Sequence, residues 1–396
     1  MPKICTCIVA GFAAIMWSCA GASHTSIRLN SSITARARAT NTSYLAISRG
    51  PQIVLRLGQP DLHETWSVTK SMCGIALEIL KDQGKISSFD APLRRYFPNW
   101  ANDARGHITI RQVMDQDSGL ELGLAATSQT QGDTVRRALD LKLIRKPGTV
   151  FDYNNVATNL LSGVILRASG ETPREFLRLE LFNELKIKDF AWENDQAGNT
   201  PCSIGLAMRG DDLLKLGQVL AGVKAAPPAF NVPRLLDEVG SEHVPDRADY
   251  GLLWWKFRTL HQMTLDSTIY QSWKDNGVPE SALLALMPMR DHKFTATDYL
   301  DEIRRRLGTT NANKFFALLA DRGLALGTRT ETGPRPWLSA LGSGGQYLVI
   351  FPDIRGVAIR LSDENEDSAD TFIDFPALAR KYLSDAASPS RELLKK

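Results

Sequence analysis

The stretch Trp66-Ser67-Val68-Thr69-Lys70-Ser71-Met72-Cys73-Gly74-Ile75-Ala76-Leu77-Glu78-Ile79-Leu80 decides how this chain is read. From Met72 to Leu80 every residue except Glu78 is apolar or small, and a helix that is apolar nearly all round is a buried one. Ser67 and Lys70 then fall in its first turn, on one face. There a hydroxyl and an amine can meet away from bulk water. Alone, the Ser-x-x-Lys spacing is a match that chance supplies in a chain of 396 residues. A serine at a helix start is also commonly a cap. The choice between cap and nucleophile has to come from the rest of the chain.

Hydrophobic residues make up 43% of the chain and charged residues 23%, ordinary proportions for a soluble globular protein. The length allows one large or two modest domains. The net charge of +3 is dispersed, and the densest basic run, Arg304-Arg305-Arg306, sits in a helix-like segment. No nucleic-acid groove is expected.

Residues 1–22 read as an export signal, with Lys3 as the basic start, an apolar run from Ile4 to Trp17, and Ala20-Gly21-Ala22 as a small-residue cleavage site. The run is too short for a permanent membrane span, so a soluble, exported (periplasmic) mature chain is expected. Met16-Trp17-Ser18-Cys19 also loosely resembles a bacterial lipoprotein box, in which Cys19 would be lipidated and tether the chain to a membrane. Such boxes usually carry leucine where Met16 stands and a small residue where Trp17 stands. Both addresses stay open. Residues 23–42, rich in Ser, Thr, Arg and Asn, read as a tether, and residues 43–390 as the folded domain.

Of five cysteines, Cys5 and Cys7 leave with the signal and Cys19 leaves or is lipidated. Cys73 then reads as a small core residue; one long-range bridge to Cys202 stays open, but there is no disulfide framework. The six histidines are scattered without ligand spacing, and neither Cys-x-x-Cys nor His-Glu-x-x-His occurs. No metal and no cofactor is expected.

Tyr44–Ser48 and Gln52–Leu57 read as a hairpin around Arg49-Gly50-Pro51. The Ser67 helix should end near Gly84. A mostly helical region follows, from about 85 to 250, with its clearest amphipathic patterns at Asn159–Ala168, Pro173–Leu185 and Asp211–Leu220. The stretch 256–336 reads as irregular and charged, with one good helix capped by Thr297. Gln346–Phe351 and Gly356–Leu361 form a second strand pair around Pro352-Asp353, and Phe372–Ser384 a closing helix. The expected fold class is α+β. One antiparallel sheet is built from the N- and C-terminal segments and flanked by helices, with the helical middle beside it and a cleft at the junction.

Ser-His-Asp chemistry has no support, because no Gly-x-Ser-x-Gly elbow occurs. Lys70 offers a different base if burial lowers its pKa. Downstream of Pro147-Gly148, Tyr153-x-Asn155 offers a hydroxyl that can relay a proton and an amide that can bind lysine or a substrate carbonyl. The plainer reading there is a core tyrosine beside a capping asparagine. Gly342-Ser343-Gly344-Gly345-Gln346 enters the last strand pair, where glycines on an edge strand would let a substrate approach and an N–H could join that of Ser67 in an oxyanion hole.

Taken in order, Ser67-x-x-Lys70, Tyr153-x-Asn155 and the Gly-rich strand entry at Ser343-Gly344-Gly345 resemble the serine β-lactamase and penicillin-binding-protein superfamily. Within it the chain is most similar to the class C β-lactamase branch, with its esterases, D-aminopeptidases and 6-aminohexanoate-dimer hydrolases. Ile108-Thr109-Ile110-Arg111 leading to Ser118-Gly119-Leu120, Asn159-Leu160-Leu161, and Tyr250-Gly251-Leu252-Leu253-Trp254-Trp255 carry the likeness further. The resemblance spans roughly residues 44 to 385. It implies an acyl-enzyme on Ser67, activation by Lys70, proton relay by Tyr153, positioning by Asn155, and an oxyanion hole from the N–H groups of Ser67 and Gln346.

At the third motif the family usually carries Lys-Thr-Gly or His-x-Gly, whose cation helps bind a substrate carboxylate. Here Ser343-Gly344-Gly345 supplies no charge, which turns the expectation from β-lactams toward small-molecule esters or amides of another shape. A β-lactamase or D,D-peptidase, and a catalytically silent binding protein on the same fold, are the alternatives. The stretch 256–336 is longer than the connection needs and is expected to cover the cleft.

Overall fold

The computed structural model describes residues 33–122, 131–241, 249–257, 260–322, 324–332, 337–363 and 375–385. The expected signal, Cys19 and the first part of the tether lie outside these residues, as do residues 372–374 of the closing helix.

The chain starts with a helix, α1 (33–39), followed by β1 (Thr42–Arg49), β2 (Gln52–Gly58), β3 (Leu62–Glu64) and the long helix α2 (Val68–Asp82). The middle holds α3 (Ile110–Met114), α4 (Thr134–Leu139), α5 (Asn155–Thr158), α6 (Leu160–Ser169), α7 (Pro173–Leu177), β4 (Phe190–Trp192), β5 (Leu206–Arg209), α8 (Gly210–Leu220) and α9 (Val232–Gly240). Next come β6 (Tyr250–Gly251), β7 (Trp254–Phe257), β8 (Leu260–Thr264), α10 (Ser267–Asp275), α11 (Glu280–Leu286), β9 (Lys293–Thr295), α12 (Ala296–Leu307), α13 (Thr309–Asp321) and β10 (Thr328–Thr332). The chain closes with β11 (Trp337–Gly342), β12 (Gln346–Phe351), β13 (Gly356–Ser362) and α14 (Phe375–Asp385).

The main sheet runs β2-β1-β13-β12-β11-β7-β6, and its paired strands are antiparallel. The hairpin of the N-terminal segment thus lies against the strands of the C-terminal segment, as the α+β reading expects. Side chains alternate between two buried faces, as the pleat requires. Tyr44, Ala46, Val357, Ile359, Leu348 and Ile350 join the core beneath α2 and α8. Leu45, Ile47, Ala358, Val349 and Phe351 join a second core with Ile33, Ala37, Phe375 and Leu383. Residues 33–39 therefore depart from the tether reading: Ile33 and Ala37 anchor a helix under the sheet.

α2 is buried from Val68 to Leu80. Its one carboxylate, Glu78, is fully buried but pairs with Lys81 at 3.0 Å and Arg234 at 2.9 Å, as a buried charge must. Cys73 is more than a small core residue, because it is bonded to Cys202 across a Cα–Cα distance of 5.8 Å.

The stretch 256–336 differs most from its sequence reading. It builds its own three-stranded sheet, β10-β8-β9, and its own core of Leu265, Trp273, Leu286, Tyr299, Ile303 and Phe315 among others. The cap of α12 is Thr295, which accepts the Asp298 N–H at 3.1 Å, rather than Thr297. Charged residues obscured this unit because they lie on its outside, as in the Arg305–Glu302 and Arg306–Glu302 pairs. It is rooted where β7 ends and β11 begins, at the Phe257–Trp337 pair. Gly342 is at the other end of β11, roughly 17 Å away at about 3.4 Å per residue. The unit thus joins the main sheet at the end of β11 remote from Gly342. Joining residue 257 to 337 through a short turn should leave a folded protein whose Ser67 still reacts with a small activated ester. Loss of cooperative thermal unfolding in that variant would show the two cores to be interdependent.

Candidate active site

Ser67 precedes α2 with helical backbone angles, yet its side chain makes no capping hydrogen bond. The capping reading therefore fails. Its Oγ accepts a hydrogen bond from Lys70 Nζ at 2.8 Å, and the residue is only half-buried. Trp66, just before it, has φ 51°, a left-handed conformation that a bulky residue holds only where its surroundings impose it.

Lys70 is 1% exposed. Its second acceptor is the Ser203 carbonyl, also at 2.8 Å, and its Nζ stands 4.9 Å from the centre of the Tyr153 ring. Burial lowers its pKa to about 7, because the charged form loses its hydration. Tyr153 moves the other way. Burial raises its pKa to about 12, partly offset by a hydrogen bond with Ser67. At neutral pH the site thus combines an amine that can be free of its proton with a phenol that keeps its own.

The segment bearing Tyr153 is clipped in place by Gln116. The Gln116 carbonyl accepts the Asp152 N–H at 2.7 Å, and its Oε1 accepts the Asn154 N–H at 2.7 Å. Asn154 caps α5 by accepting the Ala157 N–H at 2.9 Å. The capping role thus belongs to Asn154, and the Asn155 Oδ1 is buried without a hydrogen-bond partner. A buried acceptor left without a donor is suited to an ammonium or a substrate N–H.

Behind Tyr153 lies an aromatic box. Trp255 stacks on it at 6.3 Å and 24°, while Tyr250 meets Trp255 edge-on at 4.8 Å and Phe151 meets Tyr250 at 5.3 Å. The turn between β6 and β7 sets these rings with two leucines at positive φ, Leu252 at 49° and Leu253 at 68°. Hydrogen bonds hold this turn: Leu252 N–H to Asp115 Oδ1 at 2.6 Å, Leu253 N–H to the Met114 carbonyl at 3.0 Å, and Ser71 Oγ to the Leu253 carbonyl at 2.7 Å.

β11 meets the nucleophile at Gly342. A Cβ there would lie 2.2 Å from the Thr65 carbonyl oxygen and 3.1 Å from the Trp66 Cβ, so no side chain fits. The preceding residues on this face are Leu338 and Ala340, both in the core beneath α2. Ser343, Gly344 and Gly345 form the turn beyond, with Gly344 at φ 69° and Gly345 at φ 79°. The buried Arg360 guanidinium donates to both glycine carbonyls. β11 is also an interior strand, flanked by β12 and, over Trp337–Ser339, by β7. Gln346 is 1% exposed, faces Gly342 across the strand pair, and has its side chain bonded to Ser362. The structure thus brings Ser67, Lys70 and Tyr153 together and sets Gly342 beside them, while Gln346 is committed to the sheet. Sequence reasoning missed Gln116 and Ser203. Neither carries a motif, and Ser203 acts through its backbone. Among the described residues no cluster of His, Cys, Asp or Glu could hold a metal.

The family model described as Beta-lactamase matches residues 34–382. Among curated proteins, the 6-aminohexanoate-dimer hydrolase of Paenarthrobacter ureafaciens is 25% identical over 216 residues, covering 48% of this chain and 55% of that protein. Protein flp of Staphylococcus aureus (strain MW2) is 24% identical over 157 residues, 37% of this chain and 31% of its own length. The chain thus spans between about a third and a half of the curated relatives it matches. Among solved structures, the D-alanine carboxypeptidase AmpC from Burkholderia cenocepacia superposes with a TM-score of 0.55 at 15% identity, covering 91% of this chain and 99% of that one.

The buried amine makes two opposite predictions for Lys70→Met. Reaction of Ser67 with an activated ester should fall by roughly 10²–10⁴-fold, the usual worth of a positioned base. Stability should rise. The native amine, with its pKa lowered to about 7, binds fewer protons than the unfolded one, so the wild-type protein gains stability as pH rises from about 7 to 10.5. The gain in melting temperature of the variant should therefore be largest below pH 7 and vanish above about 10.5. Thermal unfolding across this range checks it; a variant less stable at pH 6 would contradict it.

Proposed function

Because this chain belongs to the β-lactamase family, we propose that it is an exported serine hydrolase that cleaves an uncharged ester or amide through an acyl-enzyme on Ser67. The observation that carries this reading is the 2.8 Å contact between Ser67 Oγ and a lysine amine that burial has brought near neutrality. In the first step the neutral Lys70 amine takes the Ser67 proton as Oγ attacks the substrate carbonyl. Tyr153, protonated at neutral pH, gives its proton to the leaving oxygen or nitrogen and regains one from the Lys70 ammonium. Water then attacks the acyl carbonyl, and the same groups return the proton to Ser67. The developing oxyanion is met by the Ser67 N–H and by the N–H of Ser343, the first residue past the close approach at Gly342; this replaces Gln346 in that role. Asn155 Oδ1 orients the Lys70 ammonium or a substrate N–H.

The substrate class follows from the residues around Ser67. Ser343, Gly344 and Gly345 carry no charge at the strand entry, and the half-buried Trp66, Trp255 and Phe151 add aromatic surface. A substrate without a carboxylate suits such walls, since an anion would lose its hydration there without a partner. The Cys73–Cys202 bridge supports export, because disulfides persist in oxidising compartments. A membrane tether through lipidated Cys19 is compatible with the same address. A short-chain p-nitrophenyl ester should be turned over at least 100-fold faster than nitrocefin, and Ser67→Ala should abolish both turnover and labelling by a fluorophosphonate. Preferential nitrocefin hydrolysis would favour a β-lactamase or D,D-peptidase, and absence of any labelling would favour a binding protein.

A further inference from the structure

Residues 193–205, between β4 and β5, contain no helix or strand, yet this segment supplies one of the two hydrogen-bond acceptors of Lys70, the Ser203 carbonyl. Its position depends on ties to other elements. The Ser203 N–H donates to Asn159 Oδ1 at 3.1 Å. Further along, the Leu206 N–H donates to Thr69 Oγ1 at 3.2 Å, and its carbonyl accepts from both the Thr65 N–H and the Thr65 hydroxyl. The covalent tie is adjacent. Cys202 immediately precedes Ser203, and its partner Cys73 lies one turn beyond Lys70 on α2. Both cysteines are fully buried. The bridge and the Lys70–Ser203 hydrogen bond therefore span the same gap side by side.

Building on the hydrolase reading above, we propose that the Cys73–Cys202 disulfide is a positioning element of the active site, holding the Ser203 carbonyl on Lys70 and keeping water away from that amine. A backbone carbonyl cannot be fixed by its own side chain. It needs its neighbours held, and a bond from the preceding residue to the helix that carries the base does this with little freedom left. The groups facing Nζ are Ser67 from the start of α2, Ser203 from the bridged segment and the Tyr153 ring from the segment before α5, with Tyr250 of β6 and Asp115 after α3 behind that ring. Burial is what keeps Lys70 near neutrality, so a segment free to move apart would admit water and return the amine toward its ordinary pKa. Cys73 and Cys202 touch no reacting atom in this scheme; they act through Lys70.

The test compares wild type with Cys73→Ala/Cys202→Ala, measuring the rate constant for fluorophosphonate labelling of Ser67 from pH 5 to 10.5 on protein shown to be folded by circular dichroism. In the wild type the rate should rise through about pH 7. In the double variant the rise should move up by at least one pH unit, so that labelling at pH 7 falls tenfold or more and recovers at high pH. A purely structural bridge would lower the folded fraction without moving the rise. Asn159→Ala, which keeps the bridge but removes the other hold on Ser203, should shift the profile in the same direction and serves as the test if the double variant does not fold. An unmoved profile in the folded variant overturns the proposal while leaving the hydrolase reading intact. A wild-type protein that does not label at any pH overturns that reading instead.

Discussion

Lys70 is a primary amine with two uncharged acceptors and an aromatic ring for neighbours, and its desolvation is the constraint around which the rest is arranged. An isolated ammonium out of water is unstable, and the group responds by giving up its proton. The elements that exclude water from it are the same ones that position its partners. α2 carries Ser67 and Lys70 in one turn and is buried from Val68 to Leu80. Thr65 and Thr69 tie the start of this helix to Leu206. The aromatic box closes the side where Tyr153 stands. By contrast, the buried carboxylate Glu78, further along the same helix, is neutralised by Lys81 and Arg234. One buried ionisable group on α2 is paired with counter-ions, and the other has none among its hydrogen-bond partners.

Much of this was legible in the sequence. The all-apolar run after Ser67 marked a buried helix, and the alternating strands at either end marked one sheet. Tyr153 was findable because it meets Ser67 and Lys70 through its side chain. Three features were not legible, for physical reasons. The Ser203 carbonyl acts through its backbone, so residue identity carries no trace of it. The third contact strand was read at Ser343-Gly344-Gly345, where the glycines are densest. The close approach is at Gly342, where the Thr65 carbonyl leaves no room for a Cβ, and the denser glycines serve the turn, with its positive φ angles. The unit between β7 and β11 was read as irregular because the outer faces of its helices carry many charges, which hides a core that becomes visible only when Trp273, Tyr299 and Phe315 are brought together.

Three of the residues with positive φ share a location. Trp66, Leu252 and Leu253 all hold left-handed backbone conformations, and all flank the Ser67–Tyr153 contact. Bulky residues are costly there, on the order of 1–3 kcal/mol each, and glycine or asparagine would be easier. At Leu252 and Leu253 the hydrogen bonds to Asp115, Met114 and Ser71 impose the shape, and the leucine side chains fill the core against α2. The hairpin tip is thus held to α2 as well as to its own strands, which fixes Trp255 behind the phenol.

One pairing inside the sheet joins β1 to β13, for example Ile47 to Ala358, residues more than 300 positions apart in the sequence. Loop closure on that scale is slow, because its entropy must be lost before the contacts repay it. While the chain is being made, α2 has no completed sheet to pack against, since β11, β12 and β13 are the last strands to appear. Ser67 can therefore acquire its surroundings only once β11, β12 and β13 have been made. The environment of Ser67 is thus a property of the completed sheet, and a chain still lacking β13 carries an ordinary serine.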